Sequence, residues 1–425
     1  MVKFEKDYIT ILNNCKFSAS SIKCEFDKNF QNIIDTYFDS FTLFNSPAFD
    51  ATKFDVEYYK KNYLNNNDCD PINHYLNIGV KKGFNPNVFF DTNFYLNEYV
   101  DVKNSGENPF IHYIRMGIYE GRIPKILSWV EFREGMESLK NSLKGRHNYL
   151  FLINDSNNEI LQHFDENYEN LFDSKIFLED YYFKKELLIK DNIDYHFFIV
   201  PDKSIICKDL LPFKYGIVKR NIDNIDEIID FKDTLNFQHY FKNDSHMNYD
   251  GGNLLSFKFL NYLNKNFSLK DYNKLLDAGE YQSIYHKNDL TEPFNWSYSS
   301  FERMLLSPGL NCVFNIPKNL NNLKNKIPQE FLTVHARESE YYENEESFSD
   351  LRVLIFHDSS FNYLKWYFSF YFKEMFLYWD HGNFNKALIE WFKPDLVLEV
   401  RIERFLENIP RPDWIKNKEK LVFKE

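Results

Sequence analysis

Two short segments hold the residue types from which a nucleophilic site is assembled. HYFKNDSHMNYDGG, residues 239–252, contains Asp244 and His246, and VLIFHDSSF, residues 353–361, contains Ser359. A hydroxyl is a poor nucleophile until a base takes its proton and hydrogen-bond donors receive the oxyanion that forms. Ser359 stands just beyond an apolar run that reads as a strand and before a stretch that reads as a helix. A tight turn there pushes a side chain into the crevice above a sheet, with main-chain N–H groups of the helix start facing the same space. His246 is the candidate base, and Asp244 the candidate group that fixes its tautomer and stabilises the imidazolium. A loop, with Gly251 and Gly252 close behind, gives the pair room to converge. A plainer reading stands beside this one: an Asp-Ser pair after a strand is a common helix N-cap, which alone accounts for Ser359 or Ser360.

The elements that must position these residues are legible as apolar runs. YLFLIND (149–155) and YHFFIV (195–200) read as buried strands. VLIF (353–356) is followed by a turn and a long amphipathic stretch from Phe361. MFLYW (375–379) precedes a helical ALIEWF, and LVLEV (396–400) follows Pro394. Strand, helix, strand, helix, strand predicts an α/β fold with a parallel sheet and flanking helices, whose ligand chemistry belongs at the carboxyl ends of the strands.

Upstream lies an internal repeat. FDVEYYKKNYL from Phe54 and DPINHYLNIGVKKGFNP through Pro86 recur as FDTNFYLNEYV from Phe90 and NPFIHYIRMGIYEGRIP through Pro124. His74 maps onto His112 and Gly79 onto Gly117. Each copy predicts two short helices, the second closed by Gly as by a C-cap. Repeat-equivalent histidines beside Tyr read as packed and hydrogen-bonded side chains rather than metal ligands. The expected organisation is an N-terminal arm or cap (1–50), a two-copy helical repeat module (51–126) and a catalytic domain (145–425).

Bulk properties narrow the partners. With 425 residues, 44% of them hydrophobic and 27% charged, the chain is long enough for two or three domains with a sizeable core. The 44 Phe and 29 Tyr accompany many Asn, Lys and Ile residues, as an AT-rich genome produces, so aromatic content is set aside as functional evidence. A net charge of −12 without a basic run argues against a nucleic-acid groove and against an anionic lipid surface. Cys15, Cys24, Cys69, Cys207 and Cys312 are scattered and lack CxxC spacing, which argues against a disulfide framework and a thiolate zinc site; no metal is expected. No signal peptide and no transmembrane run is recognisable, which predicts a cytoplasmic protein provided that Met1 is the natural start, and a periplasmic one if an export signal precedes it.

The repeats resemble the FDxxYY…NPxxHYxxxGxxEGRxP units attached to many bacterial glycosyltransferases and surface-glycan proteins. Residues 145–408 resemble the alginate O-acetyltransferase branch of the SGNH hydrolase superfamily through five blocks in the family's order. GRHNYLFLIND (145–155) is similar to GxDGWLFL, and IVPDKSIICKDLLP (199–212) to VPDKxxxYxxxLP. YFKNDSHMNYDGG (240–252) is similar to YxxxDxHWNxxG and VLIFHDSSF (353–361) to LLIFxDSF, which carries the triad onto Asp244, His246 and Ser359. PDLVLEVRIERFL (394–406) is similar to a closing PDxVxxxxxERxL block, where Glu403 and Arg404 read as structural. Met247 replaces the usual Trp, His357 stands where Gly is common, and Asn148–Tyr149 replace the Trp of the first strand; these departures bear on substrate fit. A second oxyanion donor is often a side-chain amide in this superfamily, and Asn344, Asn248 and Asn253, with His357, are the candidates for oxyanion or substrate contact.

The resemblance implies an SGNH-like sheet and O-acyl transfer, O-acetyl foremost, to a bacterial surface polysaccharide or glycan. The same triad would serve a carbohydrate acetylesterase, and an inactive scaffold docking a glycosyltransferase complex is the non-enzymatic reading. No tightly bound cofactor is implied. The acetyl donor, acetyl-CoA or an acetylated partner such as a membrane acyltransferase, acts as a substrate.

Overall fold

A computed structural model of the chain describes residues 51–64, 69–118, 120, 122–136, 142–290, 309–334, 336–379 and 384–408. The predicted arm, 1–50, lies outside the described residues, as do Cys15 and Cys24. The chain forms two compact units. One comprises the described residues through Leu150 with Leu210–Tyr215 and the short stretch from Asp289; the other comprises Phe151–Asp209, Gly216–Asn288 and the described residues from Gly309 onward. No helix among the described residues is long and apolar enough to cross a membrane.

In the first unit, short helices start where side-chain oxygens cap them. Asp55 caps Val56–Tyr59, which runs on through Lys60–Leu64, and Asp70 caps Pro71–His74, which runs on to Gly79. Asp91 caps Thr92–Glu98, and Asn108 caps Pro109–His112, which runs on to Gly117. Proline occupies the first turn after Asp70 and Asn108, where its missing N–H costs nothing. Phe54, Tyr59, Tyr75, Phe90, Tyr95, Phe110 and Tyr113 bury their rings in one core. His74 Nδ1 lies 3.0 Å from the Tyr59 hydroxyl, and His112 Nδ1 lies 3.0 Å from that of Tyr95. Gly79 is not the expected C-cap. Its backbone is right-handed helical, and an added Cβ would lie 2.1 Å from the Tyr59 hydroxyl, as one at Gly117 would lie 2.0 Å from that of Tyr95. The glycines admit the tyrosines; Gly83, at φ +71, ends the first copy's helix.

The second unit is built on a seven-stranded sheet. Its strands, numbered with a neighbouring two-stranded arm, are β1 (Asp194–Val200), β2 (Ile228–Ile229), the arm strands β3 (Glu280–Lys287) and β4 (Gly309–Ile316), β5 (Asn321–Asn322), β6 (Glu340–Glu343), β7 (Arg352–His357), β8 (Glu374–Trp379) and β9 (Leu396–Ile402). The order is β2-β1-β9-β7-β8-β6-β5, with the first five strands parallel, β6 antiparallel to β8, and β5 antiparallel to β6 at the edge. Strands covered on both faces need apolar side chains on both, which is why VLIF and LVLEV are near-continuous apolar runs. On one face, helix α1 (Ser174–Ile189) lays Phe177, Tyr181 and Leu188 into a core with Tyr195, Phe197, Leu354, Phe356 and Val397. On the other, Phe259 of α2 (Tyr249–Leu263) stacks on Phe198 of β1 at 4.1 Å.

Two expectations change. Leu150–Leu152 lies outside the seven-stranded sheet, and left-handed backbone at His147, Asn148 and Asn154 on either side limits it to three residues. The stretch from Phe361 is not one long helix. It forms a tight turn, Ser359–Tyr363, and a single helical turn, Lys365–Phe368, with Phe361, Tyr363, Leu364, Tyr367, Phe368 and Phe370 all buried. A segment that buries side chains in nearly every direction has no polar face for a surface helix.

Candidate active site

The site is assembled where β1, β9 and β7 end. Asp358, the first residue past β7, is fully buried and caps the turn: Oδ1 accepts from Ser360 N–H at 2.9 Å and from the Ser360 hydroxyl at 2.5 Å. Its Oδ2 accepts from Ile402 N–H at 2.7 Å, so the ends of β7 and β9 are tied by one carboxylate. Capping therefore falls to Asp358, with Ser360 as its donor, and the Ser359 hydroxyl is left to face elsewhere. It lies 2.8 Å from His246 Nε2.

His246 belongs to a tight loop. Asn248 N–H donates to His239 O and Phe241 N–H to His246 O, and Tyr240 bridges to Met247. Asp244 Oδ1 accepts the His246 main-chain N–H at 2.9 Å, an Asx turn that folds the loop on itself. The same oxygen lies 2.7 Å from His246 Nδ1, with the Ser245 hydroxyl 3.3 Å from that nitrogen. A carboxylate only accepts, so Nδ1 carries the proton and Nε2 presents a lone pair to Ser359. The structure thus brings together the three side chains singled out from the sequence.

The loop is anchored from below by the exit turn of β1. Tyr240 donates its hydroxyl to Pro201 O at 2.7 Å. Lys203, 1% exposed, donates its ammonium to the carbonyls of Phe241, Lys242 and Asp244 at 2.6, 2.9 and 2.9 Å. Three N–H donors meet three carbonyls, which offsets much of the cost of burying the charge. The neighbouring Asp202 accepts from Arg404 Nη1 at 2.6 Å and from His163 Nε2 at 3.0 Å, tying β1 to the segment after β9. Arg220 pairs with Glu403 and Asp230, so Glu403 and Arg404 are embedded in ion pairs. Burial opposes the charge on His163, but its hydrogen bond to Asp202 and the field of Glu403 hold its pKa up to about 9.

The glycine pair serves packing rather than loop freedom. Gly251 and Gly252 lie in the first turn of α2, where an added Cβ would sit 2.4 Å from His239 O and 2.0 Å from Tyr363 O. Their bareness lets α2 close onto the 239–248 loop and the Ser359 turn together.

The candidates for oxyanion or substrate contact are placed differently from expectation. Asn344 follows β6, hydrogen-bonded to Ser369 O and Lys373 O beside the start of β8, whereas Ser359 follows the far end of β7. The length of β8, roughly 20 Å at about 3.3 Å per residue, separates the two ends. Asn248 caps α2 with Oδ1 and gives its amide to Gln238 O. Asn253 takes the Tyr272 hydroxyl. His357 is 2% exposed between Phe361 and Trp379, with Nδ1 bonded to Asp358 O. Burial pushes its pKa down to about 4, so it is a neutral core imidazole rather than a substrate contact. Ser360 N–H, one of the helix-start donors expected to face the crevice, is already committed to Asp358.

One site residue escaped the sequence reading. His286, on β3, places Nε2 2.9 Å from Asp244 Oδ2. The segment YQSIYHK does alternate, and pairing it with GLNCVFNI would have put His286 on the face of Cys312 and Phe314. Nothing local pointed to that pairing.

No family profile and no curated protein matches the chain. Solved structures with similarity include PatB1 from Bacillus cereus, at 17% identity over 62% of this chain and 96% of that one, with a TM-score of 0.41. Others are the O-acetyltransferase domain of Pseudomonas putida AlgJ, at 13% identity over 65% and 98% with a TM-score of 0.38, and Pseudomonas aeruginosa AlgX, at 10% identity over 62% and 62% with a TM-score of 0.37.

Proposed function

We propose that the chain transfers an O-acyl group, acetyl foremost, to a hydroxyl of a bacterial surface glycan through an acyl-serine at Ser359. One observation carries the reading: a continuous hydrogen-bond line, Asp244 Oδ1 to His246 Nδ1 at 2.7 Å and His246 Nε2 to Ser359 Oγ at 2.8 Å, at the carboxyl end of a parallel strand. Those lengths are within the reach that a general base needs.

In the first half-reaction Ser359 Oγ attacks the carbonyl carbon of an acyl donor while its proton passes to His246 Nε2. Asp244 stabilises the imidazolium through Nδ1–H, and the donor's leaving group departs with the proton from Nε2. In the second, a sugar hydroxyl gives its proton to Nε2 and attacks the acyl carbon; the acyl–Oγ bond breaks and Ser359 regains its proton. The five sequence blocks that resemble the alginate-acetylation branch support acetyl as the group, and the repeats support a glycan acceptor. An SGNH-type fold, a cytoplasmic site of action with acetyl-CoA as donor, and a glycosyltransferase or membrane acyltransferase partner belong to the same proposal.

The test is product analysis with p-nitrophenyl acetate or acetyl-CoA as donor, with and without an oligosaccharide acceptor. The reading expects acetylated sugar from wild type and none from Ser359→Ala. Free acetate alone, at a rate indifferent to any acceptor, would make the chain an esterase, and no turnover of either donor would refute the reading.

A further inference from the structure

His286 is held by two sides of its environment. β3 and β4 pair antiparallel with Ile284 opposite Cys312 and His286 opposite Leu310, so the imidazole shares a face with Cys312 and Phe314, both buried. The other face of the arm turns Tyr281 and Tyr285 outward. The His286 ring stacks on Phe241 at 4.3 Å and 10°, and meets the Tyr363 ring edge-on at 5.8 Å. Tyr363 in turn lies 5.3 Å from the His246 ring.

We propose that His286 is a positioning residue for acyl transfer: it donates Nε2–H to Asp244 Oδ2 and so fixes the carboxylate with Oδ1 on His246. The proposal rests on the functional reading above for its kinetic consequence. Asp244 is 1% exposed, and Oδ1 already receives both the main-chain N–H and Nδ1 of His246. A carboxylate turns readily about its last torsion. A donor on the second oxygen, itself locked by ring stacking, stops that rotation. It also gives the buried Oδ2 a hydrogen bond. Since Asp244 only accepts, the proton of His286 sits on Nε2, and one carboxylate sets the tautomer of two imidazoles.

The experiment compares His286→Phe, which keeps a ring against Phe241 but has no donor, with His286→Gln, which offers an amide N–H. Both are made in wild type and in Asp244→Asn, with p-nitrophenyl acetate as the probe. His286→Phe should lower kcat roughly ten- to a hundredfold with KM near wild type, the range expected when a buried charged acceptor loses one donor. His286→Gln should recover most of that loss. In Asp244→Asn, His286→Phe should cost nothing further, because the two act as one unit. The low-field proton resonance of His246 Nδ1–H should move in His286→Phe and return in His286→Gln. Equal losses for Phe and Gln, or the same fold-loss in the Asp244→Asn background, would overturn the proposal. The proton resonance is read without turnover. An inert wild type whose resonance still responds to His286→Phe refutes the acyl-transfer reading and upholds the positioning role; an active enzyme with an unmoved resonance does the reverse.

Discussion

Replacing Lys203 by Met removes an ammonium while keeping most of the stem, and the structure sets the size of the effect. Lys203 is 1% exposed, and its three donors meet the carbonyls of residues 241, 242 and 244. Hydrogen bonds to charged groups are worth about 1.5–3 kcal/mol each, and they are not additive when one group makes all three. Water entering the space would restore part of the loss, which leaves a net destabilisation of about 2–4 kcal/mol, set by buried carbonyls that lose their donor. The function should suffer beyond the fold, since one of those carbonyls belongs to Asp244. Urea denaturation gives the stability change at constant m-value. Acylation by p-nitrophenyl acetate, normalised to folded protein, should fall by more than about tenfold as the 241–246 loop loses its anchor. A loss of less than about 1 kcal/mol with acylation unchanged would show that the ammonium does not hold the loop.

Gly252→Ala forces a Cβ to within 2.0 Å of Tyr363 O, a main-chain atom that cannot swing aside. It should cost about 1–3 kcal/mol and slow acylation of Ser359, with thermal unfolding and burst amplitude as the measures. His357, held near 4 by burial, is protonated more readily in the unfolded chain. Its contribution is therefore full above about pH 6.5 and is lost as pH falls toward 4, so wild type should lose about 2 kcal/mol more than His357→Gln between pH 7 and pH 5 in parallel denaturant titrations.

How much of this was readable beforehand follows from what each residue needs. The sheet strands are legible because burial on both faces demands near-continuous apolar runs, as in VLIF and LVLEV. Asp244, His246 and Ser359 were legible because they sit in compact segments whose residue types suffice to propose a chemistry. Asn344 stands out as a candidate because the sequence does not say which end of the sheet a loop joins; β6 runs antiparallel to β8 and delivers that loop to the end opposite Ser359. The glycine pair suggests flexibility in the sequence, whereas its use is close approach across elements far apart in the chain, His239 and Tyr363. Lys203 and His286 contribute through contacts of long sequence separation, which no local pattern encodes.

The proposed acyl transfer requires that His246 and Asp244 make Ser359 a nucleophile. The direct measurement is rapid chemical quench of the protein with p-nitrophenyl acetate, followed by mass spectrometry of its peptides. The proposed triad predicts one acetyl group on Ser359 in wild type, none there in Ser359→Ala, and formation slowed by about a thousandfold or more in His246→Ala. An acetyl group carried by another residue, or one that forms on Ser359 as fast without the imidazole as with it, would contradict the proposed triad.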